Sequence, residues 1–492
     1  MIFSSPMYVF AYLPVVFAVY FLLNRWRFIT FGKIWLVAAS LFFYGYWSVA
    51  YLPLLIGSIL CNFFIGGLFS PSSKIRVHRF EKALLTLGIV ANLSLLGYFK
   101  YANFFIDNIN LISGSLYDFQ QLVLPLGISF YTFTQIAFLV DSYRGKVKEY
   151  DLINYALFVT FFPHLIAGPI LHHKEMIGQF QSRWTCFVRY RNVFMGLFIF
   201  SIGFFKKVVI ADTFSVWADA GFAEGAVHDF YSSWATSLSY TFQLYFDFSG
   251  YCDMALGSAL LFNIWLPINF NSPYKALDIQ DFWRRWHMTL SRFLRDYLYI
   301  PLGGNRGSPI RLYVNLMLTF VLGGLWHGAS WMFVIWGALH GGALVIHRIW
   351  SQLGMRMPAV LAWITTFMFV NVTWVFFRAE SLADASTILA GMVDISSARD
   401  VATSTLATER LAWGGTLSDT LLAILPVGIA TNAACYFMIL LGFFIISQRN
   451  SYDLTIQGYL GWKKIAWVAT LFPIAMYSSI QTISTVFLYF NF

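Results

Sequence analysis

Charge is scarce in this chain. Only 11% of its 492 residues are Asp, Glu, Lys or Arg, against about 25% in a soluble globular protein. That deficit, with 59% hydrophobic residues and a mean hydropathy of +0.65, excludes an ordinary water-soluble fold. Cysteine is sparse too: Cys61, Cys186, Cys252 and Cys435 lie far apart in apolar surroundings, with no C-x-x-C pair. This spacing excludes a zinc finger or a dithiol redox motif and leaves buried, structural thiols. No internal repeat is visible, which counts against an inverted-repeat transporter. The basic residues are scattered over loops, so a nucleic-acid footprint is missing as well.

What the chain does have is a succession of apolar runs, expected to give an all-α polytopic membrane protein treated as one unit over 1–492. Candidate spans fall near 8–24, 33–49, 52–69, 83–101, 122–140, 153–171, 193–215, 234–262, 312–325, 329–349, 360–377, 420–446 and 465–489. About eleven helices that cross or enter the bilayer are expected. Pro125-Leu126-Gly127, Pro163 and Gly168-Pro169 mark some of them as short, kinked or re-entrant. The opening segment, Met1–Asn24, lacks a basic start and a small-residue cleavage site, and reads as a retained first span. Net charge is +9, and the basic residues gather in short loops: Arg25 and Arg27; Lys74, Arg76, Arg79 and Lys82; Arg144, Lys146 and Lys148; Lys463 and Lys464. The positive-inside rule makes those loops cytoplasmic and the N-terminus external.

One titratable side chain stands out. His327 lies in Gly323-Gly324-Leu325-Trp326-His327-Gly328, inside an apolar stretch from Leu312 to Ile346. As one helix that stretch would be roughly 50 Å long, too long for a single untilted span of a hydrocarbon core about 30 Å thick. The flanking glycines place the expected helix break at the histidine. A titratable group on broken backbone at membrane depth is a functional-site candidate. Asp247 and Asp253 also fall within an apolar span, where they are expected to be hydrogen-bonded and structural. His340 and His347 share a helix face and read as packing residues, while His78 and His228 read as loop residues. His164, His172 and His173 flank Gly168-Pro169, but adjacent histidines project apart, so no metal site is expected.

Two regions are too polar to span. Residues 395–418 read as an exposed, extracytoplasmic loop, and 275–311 as a cytoplasmic amphipathic segment. In the latter, Asp278 is expected to cap a helix running to about Tyr299, before Pro301. Its apolar face would carry Ile279, Phe282, Trp283, Trp286, Leu290, Phe293, Leu294 and Tyr297. Arg284, Arg285, Arg292 and Arg295 fall opposite, as in a helix lying in the membrane interface. His287 sits at the edge of the apolar face and points away from water.

Several motifs together resemble the membrane-bound O-acyltransferase superfamily, in its bacterial polysaccharide O-acetylation branch. They are Asp281-Phe282-Trp283-Arg284-Arg285-Trp286-His287-Met288-Thr289-Leu290-Ser291, Tyr299-Ile300-Pro301-Leu302-Gly303-Gly304-Asn305 and Leu325-Trp326-His327-Gly328. Pro125-Leu126-Gly127-Ile128-Ser129-Phe130-Tyr131 and Phe162-Pro163-His164-Leu165-Ile166-Ala167-Gly168-Pro169-Ile170 agree with it, over nearly the whole chain. The resemblance implies a funnel of helices with a required histidine at His327 and a second at His287. It also implies acetyl-CoA as the cytoplasmic acyl donor, no permanently bound cofactor, and an extracytoplasmic partner enzyme of the SGNH hydrolase type. His164, where the alginate pattern has Gln, and the pair His172-His173 depart from the branch and leave the polymer open. Acyl transfer to a hydroxyl needs a base, and a neutral imidazole suits that role, so His327 is the expected general base. The arginines fit both CoA phosphate pairing and positive-inside anchoring, and none is assigned to either. D-alanyl or another acyl transfer is the alternative within the superfamily. A lipid-linked sugar flippase is the alternative outside it, and would call for intramembrane charge pairs that the spans do not display.

Overall fold

The computed structural model describes residues 1–70, 80–114, 117, 123–147, 150–400, 432–456, 461–481 and 487–488. Every regular element among them is helical. Among the described residues seven helices are long and apolar enough to cross a membrane: Tyr8–Arg25, Val49–Leu68, Glu81–Ser113, Tyr190–Gly221, Pro309–His327, Trp331–Gln352 and Ala359–Arg378. Shorter apolar helices, Ile29–Gly45, Leu382–Val393 and Ala433–Ser447, accompany them. Phe10, Phe31, Phe64, Ile346 and Val360 face outward, exposed as lipid-facing side chains are. The chain is thus a polytopic membrane protein. His78, the basic residues Lys74, Arg76, Arg79 and Lys148, and parts of the spans expected over 420–446 and 465–489 lie outside the described residues.

At the centre stands the helix Phe230–Leu261, 32 residues long and buried almost throughout. Asp229 starts it with a capping box: its carboxylate accepts from the Ser232 backbone N–H at 2.7 Å, and its own N–H donates to Ser232 Oγ. The neighbouring helix Tyr190–Phe205 packs so closely that glycines are obligatory at the crossing. A Cβ on Gly250 would stand 2.7 Å from the Gly203 carbonyl oxygen, and one on Gly257 2.6 Å from that of Gly196. The sevenfold spacing on both helices makes a small-residue seam.

Beyond Phe205 that neighbour widens into a π-helical segment, Lys206–Ala211. The insertion turns two consecutive lysines toward carboxylates of the central helix. Lys206 Nζ is 2.7 Å from Asp253, and Lys207 Nζ lies 2.7 Å from Asp247 and 2.8 Å from Asp212. Asp247 and Asp253 are therefore ion-paired structural groups, as expected of carboxylates in an apolar span. Intramembrane charge pairs do exist here, contrary to the expectation from the sequence, because Lys206 and Lys207 lie within the apolar run 193–215 rather than in a loop.

Three expectations need correction. The stretch 153–171, counted among the candidate spans, is not one continuous helix but is short and interrupted, as Pro163 indicated: it forms Leu152–Thr160, breaks at Phe161, and resumes as the single turn Phe162–Leu165. Pro163 supplies no N–H to continue the ladder, and the Phe162 N–H turns to Ser40 Oγ at 3.1 Å. The amphipathic helix capped by Asp278 does not run to Tyr299. It stops at Arg285, and a second helix, Met288–Leu294, follows a break at His287. Finally, the start of the polar region 395–418 is helical, as Ile395–Asp400, and 401–418 lie outside the described residues.

Asp247 and Lys207 are buried on all sides, with side chains 2% and 5% exposed, so removing one partner strands a charge. Lys207→Met should cost about 3–5 kcal/mol, and Lys207→Met with Asp247→Asn should recover part of it. Thermal unfolding in detergent reads this directly; an unchanged Tm for the single variant would contradict the pairing.

Candidate functional site

The helix Pro309–His327 ends on His327, and Gly328 continues in extended backbone (φ −163°) before Ser330 caps the helix Trp331–Gln352. This is the break that the glycines forecast. The last carbonyls of a helix have no partner of their own, and at membrane depth water is scarce. Here the partners come from a π-helical segment, Gly97–Tyr101, within Glu81–Ser113. Lys100 Nζ donates to the carbonyls of Trp326 (2.6 Å) and His327 (2.9 Å), and Tyr101 Oη donates to that of Leu325 (2.8 Å). A cation is also the favoured charge at a helix C-terminus. Sequence reasoning misses Lys100 and Tyr101, although a lysine inside the apolar run 83–101 is itself a signal.

His327 is 4% exposed, and its ring is enclosed by aromatic rings, with centroids 5.0 Å from Trp326 and 5.2 Å from both Trp336 and Phe377. His287 faces it at 6.3 Å with the planes inclined by 61°. The structure therefore brings together the two histidines singled out from the sequence. His287 is fully buried and adopts a left-handed conformation (φ 41°, ψ 52°), which a non-glycine residue holds only at a cost of about 1–3 kcal/mol. Burial pushes its imidazole down to about 3, so the ring is neutral at physiological pH.

Two cavities meet at His327. The larger, about 520 Å³, is walled by Leu316, Thr319, Gly323 and His327 along one helix face, and by Trp283 and Trp336 opposite. Leu316 to His327 corresponds to roughly 16 Å of helix. Its outer end carries Arg284, Arg292, Arg295 and Tyr299. The smaller, about 40 Å³, is lined, besides His327, by Lys100, residues Leu124 to Phe130, Ile166 and Trp326.

The arginines differ in their engagements. Arg285 pairs with Asp281 at 2.9 Å and does not line the cavity. Arg292 grips Glu175 with both terminal nitrogens, at 2.6 and 2.9 Å, and Arg295 pairs with Asp296 at 2.7 Å. Among the described residues Arg284 alone of the four takes no ion pair, and it is exposed at the cavity mouth.

Five further histidines are held by ring packing or polar contacts away from this pair. His340 is fully buried and accepts from Trp283 Nε1 at 3.2 Å, while His347 lies 3.7 Å from Asp278. His172 meets the Tyr297 hydroxyl at 3.2 Å, and burial, then Arg292, lowers its basicity. His173 turns away to pack at 5.3 Å against Phe138 and Phe158, and His164 is buried beside Phe161. Among the described residues no group of three His, Cys, Asp or Glu side chains converges as metal ligands.

Residues 79–383 match the family model of the membrane-bound O-acyltransferases. The span contains both histidines, Lys100 and the central helix, so the chain belongs to that family and is an acyltransferase. Among its relatives, it is 46% identical to the peptidoglycan O-acetyltransferase of Helicobacter pylori, over 100% of this chain and 98% of that protein. The probable alginate O-acetylase AlgI of Pseudomonas aeruginosa is 44% identical, over 78% of this chain and 73% of that protein. The teichoic acid D-alanyltransferase of Streptococcus thermophilus is 30% identical, over 47% of this chain and 59% of that protein.

Lys100→Met would leave two carbonyls without a donor beside His327, at about 1–3 kcal/mol for each buried group left unsatisfied. Lowered thermal stability in detergent, with acyl transfer reduced more than protein yield, is expected. Wild-type activity and melting would show that the contact is dispensable.

Proposed function

We propose that this protein moves acetyl groups from cytoplasmic acetyl-CoA toward an exported cell-surface or cell-wall polysaccharide, with His327 as general base. The observation that carries the reading is that His327 borders both cavities, the arginine-rimmed one and the one beside Lys100. A thioester entering from the first and a hydroxyl entering from the second would meet at one imidazole. His327 would take the hydroxyl proton as the oxygen attacks the thioester carbonyl. The carbon–sulfur bond then breaks, an ester forms, and the proton passes to the departing thiolate. His287, 6.3 Å away, would be the second group at the reacting centre.

Arg284 at the cavity mouth, which takes no ion pair among the described residues, is suited to a phosphate of CoA, with the paired Arg292 and Arg295 adding positive charge beside it. The basic loops favour the cytoplasmic side for this mouth, and the bacterial inner membrane as the location. Acetyl is favoured over D-alanyl because the O-acetyltransferase relative matches the whole chain at 46% identity, whereas the D-alanyltransferase matches 47% of it at 30%. Delivery through an extracytoplasmic SGNH-type enzyme is part of the proposal. The flippase alternative falls to the family assignment, and the Lys206 and Lys207 pairs read as structural.

The test is transfer from radiolabelled acetyl-CoA by purified protein. His327→Ala, folded and stably expressed, should lose about 10²–10⁴-fold in rate, the usual contribution of a general base. Retention of full transfer by that variant would end the proposal.

A further inference from the structure

The break at His287 is built around one side chain that neither motif nor periodicity marks. Asn269 is 2% exposed and lies between the central helix and the arginine segment. Its side-chain oxygen meets three groups: the Thr289 backbone nitrogen at 3.2 Å, Thr289 Oγ1 at 2.9 Å, and His287 Nδ1 at 3.1 Å. Its backbone carbonyl accepts from the Met288 N–H at 3.0 Å, so Asn269 grips both sides of the left-handed residue.

The identity of these groups decides where protons lie. A backbone N–H can only donate, so the Asn269 atom facing Thr289 is the carbonyl oxygen. The amide nitrogen faces Cys252 Sγ at 3.5 Å. Thr289 Oγ1 already accepts from the Ile170 N–H at 3.0 Å, which turns its own proton toward Asn269. An oxygen engaged in this way can pair with His287 only if Nδ1 carries hydrogen. The lone pair of the neutral ring is then on Nε2.

We propose that Asn269 is a positioning residue that locks His287 in the Nδ1–H tautomer and so presents an unprotonated Nε2 at the acyl-transfer centre. The inference rests on the reading that His287 belongs to that centre. A neutral amide fits this role because it fixes the proton without favouring the imidazolium, as a carboxylate would. The titratable groups facing this arrangement are His327, 6.3 Å from His287, and Cys252 behind Asn269. The Lys206–Asp253 pair borders the same recess as Asn269 and Cys252.

Nitrogen-15 NMR of histidine-labelled protein in lipid nanodiscs reads the tautomer, with His287→Gln identifying the signal. Wild-type protein at neutral pH should show His287 protonated on Nδ1, a result that needs no variant at position 269. Asn269→Leu should lose that preference, with transfer reduced about tenfold or more at every pH. Asn269→Asp keeps an acceptor for Thr289 but adds charge. It should move the acid limb of the transfer profile upward by about one pH unit or more, with activity recovering in alkali. An Nε2–H tautomer in the wild type, or an unshifted profile for Asn269→Asp, overturns the inference. Wild-type transfer by His287→Gln would instead overturn the reading of His287 as an active-site group, whatever the tautomer shows.

Discussion

A helix that stops inside a membrane leaves carbonyls with no partner, and the carbonyls of Leu325, Trp326 and His327 are where this fold meets that constraint. Hydrocarbon offers nothing to bond them. A second irregularity answers the first: from the π-helical turn at Gly97–Tyr101, Lys100 and Tyr101 both reach those carbonyls. The cost of a buried ammonium is offset by two short bonds and by the helix dipole. The same device recurs at Lys206–Ala211, where widening of the helix delivers two adjacent lysines to carboxylates of the central helix.

With its carbonyl held, His327 borders two cavities. Neither cavity alone argues for acyl transfer. Together they place one histidine at the edge of both, with arginines lining one cavity and Lys100 the other. His287 reaches the same point from a separate element and is held there against its backbone preference. Strain of this kind persists where surrounding contacts over-determine it, and Asn269, Thr289 and Ile170 supply those contacts.

Much of this was legible in residue order, and the limits have physical causes. Glycines on both sides of His327 marked a break because helix interiors disfavour them, and the break is there. Asp278 was readable as a cap because capping is local, and its carboxylate accepts from the Asp281 N–H at 2.7 Å. The interruption at His287 was not readable: apolar residues keep helical spacing on both sides of it, and Asn269 and Ile170, which help to hold it, are distant in sequence. Lys206, Lys207 and Lys100 were visible as charges within apolar runs. Their roles depend on partners distant in sequence, which spacing does not encode, Asp212 excepted. The arginine face was correctly amphipathic, yet its division between ion pairs and the cavity mouth follows from the tertiary positions of Glu175 and the helix break.

The central claim is that donor and acceptor reach His327 from opposite faces of the membrane. Sided transfer in sealed proteoliposomes tests it most directly, with orientation established by protease cleavage of the arginine segment. Labelled acetyl-CoA supplied only to the face bearing Arg284, Arg292 and Arg295 should place label on an acceptor confined to the other face. Transfer supported by donor on the Lys100 face alone would contradict the account.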